Sequence, residues 1–222
     1  TNVPVQSFRL EDWNGCREQL ESVRNQWLSL QSEDQTPAVP PDSAPPLANG
    51  SNGLVFRTNG PALCEEIRIR PEFPGGITIL EKNRWLRDVV LRIYWDDLAQ
   101  PSVETPLGDF FCNGVRPRAF RSMVMSYSGG EYVCRWPMPF RRSMRLELEN
   151  QGTIPVPLTL RGRLRPLPEA TAPASYFQAC WNQTSNPGRP HEILQFAGNG
   201  YYVGCYLVAI GMDGSWNMLE SD

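Results

Sequence analysis

The sequence contains very little histidine and lysine, with one residue of each type, His191 and Lys82, in a chain of 222 residues. A single histidine excludes a His-rich metal site and leaves any histidine-based catalytic triad dependent on that one residue. Cys-x-x-Cys pairs are also absent, which disfavours zinc sites and thioredoxin-like chemistry. No apolar run approaches the roughly 20 residues of a membrane-spanning helix, so we expect no membrane span.

The charge pattern argues against nucleic acid as a partner. The formal net charge is −3, and the 21 basic residues are scattered along the sequence instead of forming a patch. All but one of them are arginines, whose planar guanidinium can bind carboxylates and sugar hydroxyls. The six cysteines allow three disulfides, although cysteine is also a common core residue; we expect them to be mostly reduced and buried.

The first part of the chain predicts a helical arm, residues 1–35, followed by a linker. Apolar residues at 13, 16, 20, 23, 27 and 30 are spaced 3, 4, 3, 4, 3, as on one face of a helix over residues 11–31. Asp12 could cap this helix. The stripe fits either packing on its own domain or an oligomer contact. Residues 36–53 contain five prolines and two glycines and predict a semi-extended linker.

The remainder, residues 54–222, predicts an all-β domain. Short alternating or apolar runs are separated by turns, and about ten of them at this spacing are typical of a β-sandwich, most plausibly a jelly roll. The strongest strand is predicted over residues 89–95, and the Ser128-Gly129-Gly130 sequence predicts a hairpin turn. Further strands are predicted at 144–149, 156–164, 176–181, 191–197 and 201–210.

Residues 95–111 join two apolar runs through a segment rich in carboxylates. Pro101 and Pro106 exclude a helix interior here. Acidic and aromatic residues at strand ends suit a sugar-binding or sugar-cleaving cleft. Asp96 and Asp97 could also bind calcium, or form a solvated loop; we expect no metal and no cofactor. Asp109 could contact substrate or pin a turn.

Other residues leave similar alternatives open. Trp95 and Trp136 fit the core better than a sugar-stacking surface, and His191 fits a surface position. Several arginines in the second half could protect a sheet edge or pair with acids of a neighbouring subunit. They are Arg135, Arg141, Arg142, Arg161, Arg163 and Arg165.

Several motifs occur in a fixed order along residues 54–222. They lie at residues 95–96, 101–104, 106–111, 138–140, 176–179, 198–204, 216 and 220–222. With these motifs the chain resembles glycoside hydrolase family 172, a bacterial family formerly of unknown function. Residues before 54 are not covered. The resemblance implies a pair of jelly rolls, of which the second would be incomplete here, assembled as trimers or multiples of trimers.

The resemblance also implies retaining cleavage or rearrangement of fructofuranosidic and arabinofuranosidic linkages by two glutamates. Glu220 matches the first, with Trp216 and Asp222 beside it and with Asp96 and Asp109 as further substrate-binding candidates. Both glycines that flank the matching glutamate are replaced, and Asp97 stands where the family usually has glycine. The second glutamate belongs to a Gly-Thr-Glu-Asp stretch that would follow Asp222.

Two functions are therefore predicted. The first is an enzyme, or part of one, that needs two carboxyls about 5–5.5 Å apart; Glu104 and Asp109 could substitute for the second glutamate. Without a partner for Glu220 we expect the 222-residue chain to be incomplete or inactive. The second is a structural, oligomer-forming jelly roll or a carbohydrate-binding module without catalysis. A bacterial cytoplasmic protein and one secreted to the cell surface after signal removal are both compatible with the sequence.

Overall fold

The computed structural model describes four stretches of the chain, residues 9–29, 52–168, 175–184 and 190–209. The chain divides into two units, Thr1–Pro37 and Ala38–Asp222. No helix in the described stretches is long and apolar enough to cross a membrane.

The first unit contains two helices, α1 (Leu10–Gly15) and α2 (Arg17–Ser29), where the sequence predicted one. The interruption at Cys16 directly follows Gly15, the residue type that weakens a helix interior most after proline. Asp12 accepts a hydrogen bond from the backbone N–H of Arg9 at 2.8 Å and so caps the start of α1. Trp13, with 47% exposure, leaves part of the apolar stripe open to solvent.

The second unit is an all-β sandwich, which confirms the predicted fold class. The strands are β1 (Asn52–Asn59), β2 (Ala62–Pro71), β3 (Val89–Trp95), β4 (Val103–Pro106), β5 (Phe120–Arg121), β6 (Met125–Ser128), β7 (Glu131–Cys134), β8 (Met138–Phe140), β9 (Ser143–Asn150), β10 (Leu158–Pro166) and β11 (Ala179–Cys180). One sheet has the strand order β1-β9-β3-β4-β11 and the other β10-β2-β7-β6-β5, with β8 also paired to β2. All described pairs are antiparallel except that of β4 with β11.

Alternation of apolar and polar residues explains how the two sheets form one core. Along β9, Met144, Leu146 and Leu148 are buried, while the residues between them are partly exposed. Side chains of a strand point alternately to the two faces of the sheet, so the apolar set meets the opposite sheet. The core joins residues of both sheets, including Ile67, Ile69, Leu91, Ile93, Trp95, Tyr132 and Phe140. Trp95 is therefore a core aromatic, as expected.

Two helices interrupt the strands beside the candidate site. Helix α3 (Ile79–Asp88) begins with a capping box, in which Thr78 and Glu81 each satisfy the other's backbone N–H. Trp85 and Leu86 bury the inner side of this helix, while Arg87 lies toward its C-terminal end. The short helix α4 (Leu107–Phe110) directly follows β4.

The hairpin prediction is confirmed by the pairing of β6 with β7 around Gly129 and Gly130. Both glycines have positive φ, 58° and 85°, a conformation that side chains disfavour. The strands predicted at 191–197 and 201–210 are wrong for the described residues, because 190–209 contains no strand. Of the strand predicted at 176–181, only Ala179–Cys180 pairs with a neighbour.

The cysteines follow the predicted burial only in part. All six cysteines are free; Cys64 and Cys134 are buried, whereas Cys180 and Cys205 are exposed, contrary to the expected burial. Burial raises the pKa of the Cys64 thiol to about 12.

Two of the arginines predicted at a sheet edge or a subunit contact form ion pairs within the chain. Arg135 pairs with Glu66 at 2.9 Å, and Arg165 pairs with Glu65 at 2.7 Å. Arg135 directly follows β7 and Arg165 lies in β10, and both arginines thus pair with acids of β2.

Candidate functional site

The turn after β3 fixes Asp96 in the structure. Asp96 and Asp97 have φ of 53° and 62°, and the N–H of Leu98 donates to the carbonyl of Trp95 at 3.0 Å. Two consecutive left-handed residues make this a type I′ turn. Aspartate tolerates this conformation better than most residues because its short side chain can hydrogen-bond locally. The positive φ of Asp97 is the physical reason for a glycine to be favoured at this position.

The Asp96 carboxylate is fully occupied by donors from its own chain. Oδ1 accepts three successive backbone N–H groups, from Arg141, Arg142 and Ser143, at 3.1, 2.6 and 3.2 Å. Oδ2 accepts the hydroxyl of Tyr176 at 2.5 Å. Burial raises the pKa of Asp96, but the hydrogen bonds from Tyr176 and the backbone outweigh it and hold the pKa below its usual value.

Asp96 therefore acts as a clamp between the start of β9 and the segment that contains Tyr176. With its oxygens directed to these donors, Asp96 offers little to a calcium ion, which needs six to eight oxygen ligands. No group of three potential metal ligands is present among the described residues. Contact of Asp96 with substrate remains a prediction.

Asp109 lies in α4, in a setting opposite to that of Asp96. Its side chain is only 10% exposed, and Oδ2 accepts no hydrogen bond from the described residues. The nearest cation is Arg87, whose Nη1 lies 3.7 Å from Oδ2, beyond hydrogen-bonding distance. A buried acceptor without a donor is unfavourable by about 1–3 kcal/mol. Native structures contain few such groups, and each calls for an explanation.

The backbone of Gly114 lies directly against the Asp109 carboxylate. A Cβ atom added to Gly114 would lie 1.9 Å from Oδ1 of Asp109, far inside van der Waals contact. Glycine is therefore required here by close approach of the backbone. Cys112, which lies between Asp109 and Gly114 in the sequence, has a φ of 57°, and this left-handed residue turns the chain back toward Asp109.

Burial raises the pKa of Asp109, and the Arg87 guanidinium and a hydrogen bond from Trp181 oppose this effect without cancelling it. Burial also raises the pKa of the Tyr206 phenol, which hydrogen-bonds the backbone of Gly114 and feels the negative charge of Asp109. Tyr206 is therefore part of the same cluster. A carboxyl group with a raised pKa beside aromatic and cationic side chains is a common feature of functional sites.

Arg87 and Trp181 form the outer part of this cluster. The guanidinium carbon of Arg87 lies 5.6 Å from the centre of the Trp181 ring, within cation–π range. Nη2 of Arg87 donates to Oε1 of Gln183 at 3.3 Å. Trp181 keeps 42% of its surface exposed. An exposed indole next to a buried carboxylate offers both an apolar surface and a hydrogen-bond acceptor to a ligand.

Among the described residues, the acidic side chains that the sequence predicted for the site have different partners. Asp96 and Asp109 belong to different hydrogen-bonding networks, and Glu104 forms an ion pair with Arg92 at 2.7 Å on an outer sheet face. Glu220, Trp216 and Asp222 lie outside the described residues. His191 is exposed, as expected, and its Nδ1 lies 3.0 Å from Oγ1 of Thr184.

Sequence reasoning missed Arg87, Trp181, Gln183 and Tyr206 as members of the Asp109 cluster. The Thr78-x-x-Glu81 capping box was an available indication of α3, and hence of a helix that carries Arg87. For Trp181 and Tyr206 no local pattern exists, because the tertiary fold brings them to α4 from distant segments.

Comparison with known proteins supports one family. A family model described as GH172 domain-like matches residues 45–158, about half of the chain. The match includes Asp96 and Asp109 but ends before Trp181. The search of curated proteins gave no match to this chain.

Proposed function

The chain belongs to the GH172 domain-like family, and on this premise we propose that it binds furanose-containing glycans through the Asp109 cluster and takes part in retaining furanoside cleavage. The single observation that carries the proposal is the nine-tenths buried Asp109 carboxylate, whose Oδ2 has no donor among the described residues. A sugar hydroxyl would supply that donor.

Electrostatics favours a neutral ligand over an ion. A cation near Oδ2 would meet the Arg87 guanidinium, whose Nη1 is 3.7 Å from that atom, and an anion would meet the Asp109 carboxylate. A neutral polyol can donate to Asp109 and accept from Arg87 at the same time. The exposed face of Trp181 would pack against the C–H groups of the sugar ring.

Chemistry at the anomeric carbon requires carboxyl groups other than the saturated Asp96. By its resemblance to the family motif, we propose Glu220 as one catalytic carboxylate, with Trp216 and Asp222 near the substrate. Asp109, whose Oδ2 has no donor among the described residues, is suited to accept a hydrogen bond from a sugar hydroxyl. We assign it to binding.

Replacing Trp181 with alanine is expected to weaken furanoside binding by about 5-fold, because an aromatic contact contributes on the order of 1 kcal/mol beyond its buried area. The measurement is calorimetric titration with p-nitrophenyl arabinofuranosides and fructofuranosides, followed by assay of p-nitrophenol release. The matched control is Trp13→Ala, since Trp13 is similarly exposed but lies in the first unit. Equal affinity of the Trp181 variant and wild type, or no binding by wild type, would count against the proposal.

The alternative function, an oligomer-forming jelly roll without catalysis, is supported by a different observation. Residues 193–208 expose several large apolar side chains, including Tyr201 at 92% and Leu207 at 60%. Contiguous apolar exposure of this kind commonly marks a protein–protein contact. We propose that this segment contacts further copies of the chain, in a trimer or a multiple of it.

Replacing Tyr201 and Leu207 together with serine is expected to lower the oligomeric state, because two apolar contacts would be lost at each copy of the interface. Multi-angle light scattering of the full chain measures this directly. Leu80→Ser is the control, as Leu80 is 75% exposed on α3, outside the segment. If the double variant keeps the mass of wild type, the segment does not hold the assembly together.

A further inference from the structure

We infer that Tyr176 is a positioning residue for the Asp109 cluster: its hydroxyl, fixed on Asp96, holds the segment that carries Trp181 and Gln183 against Arg87. This inference rests on the proposed function only for the identity of the ligand. Tyr176 itself contacts neither Asp109 nor Arg87 in the described hydrogen bonds and ion pairs, so its influence would pass through the segment that follows it.

Asp96 provides a rigid attachment point for Tyr176. Besides the three N–H groups on Oδ1, its carbonyl accepts Nη2 of Arg142 at 2.7 Å, and its N–H donates to the carbonyl of Ser143 at 2.8 Å. These contacts tie both the side chain and the backbone of Asp96 to the start of β9. Because these hydrogen bonds hold Asp96 in place, its carboxylate has little freedom to move with Tyr176.

The segment after Tyr176 packs against the core through Phe177, whose ring centre lies 6.2 Å from that of Trp136, and few hydrogen bonds add to this packing. Nε1 of Trp95 donates to the carbonyl of Phe177 at 2.7 Å, and the N–H of Ala179 donates to the carbonyl of Ser102 at 3.1 Å. Strand β11 has only two residues and pairs with β4 alone. Because one hydrogen bond contributes about 1 kcal/mol net, the Tyr176 contact is comparable in strength to each of these hydrogen bonds, and its loss loosens the segment.

The segment reaches the cluster directly after β11. Trp181 follows Cys180, and both Trp181 and Gln183 contact Arg87. The contacts with Arg87 are weak, since an exposed cation–π pair is worth about 0.5–1 kcal/mol, and Trp181 also hydrogen-bonds Asp109. These contacts act at the end of the segment, while the attachment of Tyr176 to Asp96 holds its start, so we expect the loss of that attachment to displace Trp181.

Tyr176→Phe tests this inference in the full chain labelled with 5-fluorotryptophan, and the Trp181 resonance is assigned with Trp181→Phe. We expect the ¹⁹F resonance of Trp181 to shift and that of buried Trp85 to remain. Amide exchange at residues 179–184 should accelerate about 5- to 10-fold, the equivalent of one hydrogen bond, with β3 and β9 unchanged. Tyr127→Phe is the control, because Tyr127 lies in β6 of the other sheet, away from this segment.

Asp96→Asn supplies a conservative variant that keeps the contact. Its Oδ1 can still accept the three N–H groups, while Nδ2 can donate to the Tyr176 oxygen, so Trp181 should remain near its wild-type position. A Tyr176→Phe protein with wild-type Trp181 resonance and wild-type exchange at 179–184 would overturn the inference. So would a loss of protection that is uniform across β3, β9 and 179–184, because it indicates a general structural role.

The two proposals fail separately. If wild type binds no furanoside but Tyr176→Phe releases Trp181, the positioning role stands and the proposed function falls. If wild type binds p-nitrophenyl arabinofuranoside and Tyr176→Phe binds it equally well with an unmoved Trp181, only the positioning role falls. If the proposed function and the positioning role are both correct, Tyr176→Phe should weaken the binding of p-nitrophenyl arabinofuranoside by about the factor measured for Trp181→Ala.

Discussion

Replacing Asp96 with alanine is expected to lower the free energy of unfolding by about 3–5 kcal/mol. The substitution leaves three backbone N–H groups and the Tyr176 hydroxyl without their acceptor, and each buried unsatisfied group costs about 1–3 kcal/mol before water and relaxation reduce the sum. Because domains are stable by only about 5–15 kcal/mol, this one change could prevent folding. Chemical denaturation followed by circular dichroism measures it.

The neighbouring carboxylate is the matched control for this prediction. Asp97 shares the left-handed conformation, but its ion pair with Arg57 at 3.1 Å is more than half exposed, and such pairs contribute little. Its Oδ1 also accepts one hydrogen bond, from Oγ of Ser143 at 2.9 Å, so Asp97→Ala is expected to cost about 1–2 kcal/mol. Similar losses for the two alanine variants would refute the assignment of Asp96 as the clamp.

The stabilisation by Asp96 should also depend on pH. Its pKa in the folded protein lies below the value of an unfolded chain, about 3.9. Stability from this group is fully present above the unfolded value and is lost as the pH falls through the folded value. The difference in unfolding free energy between wild type and Asp96→Asn should therefore shrink below about pH 4. Denaturation at pH 7 and about pH 3 tests this.

The sandwich could be predicted from the sequence because its information is local. The alternation along β9, the apolar run of β3 and the Gly129-Gly130 turn each determine a strand or a turn from adjacent residues. Helix α3 has a capping box of the same local kind. The exposed apolar run at 193–208 resembled strands in composition, but strand formation requires a neighbouring strand, and none is paired with it in the described residues.

The candidate site could be predicted only in part, because its members come from four separate segments. The sequence singled out Asp109 by its place between a proline and two phenylalanines. The packing of α3 brings Arg87 to Asp109. The pairing of β11 with β4 brings Trp181 there, and Tyr206 comes from the chain after β11. No spacing in the sequence encodes those approaches.

Environment, rather than residue type, distinguishes the two aspartates of this region. Asp96 is surrounded by donors that favour its charged form, so its pKa is lowered and its role is structural. Asp109 is buried without enough donors, so its pKa is raised. Natural proteins keep such unfavourable groups chiefly where function requires them, and stability is lost in exchange. The stability and the binding of Asp109 variants should therefore change in opposite directions.

Replacing Asp109 with asparagine is expected to raise the free energy of unfolding at pH 7 by about 1 kcal/mol, because the buried charge is removed while the shape is kept. In a protein of this size that corresponds to a melting temperature about 2–4 °C higher. Furanoside affinity should fall about 10- to 100-fold, as hydrogen bonds to a charged group contribute about 1.5–3 kcal/mol. Thermal melting and calorimetric titration measure the two effects on the same samples.

The sign of the pH dependence separates this prediction from a purely structural role. An acid with a raised pKa in the folded state destabilises the protein as the pH rises above the unfolded value, so the gain from Asp109→Asn should vanish below about pH 4. Glu104→Gln is the control, since Glu104 is more than half exposed and paired with Arg92; it should change neither quantity appreciably. If Asp109→Asn instead destabilises the protein and leaves furanoside affinity unchanged, the role of Asp109 is to stabilise a turn. That result would contradict our proposal that Asp109 lowers stability and contributes to binding.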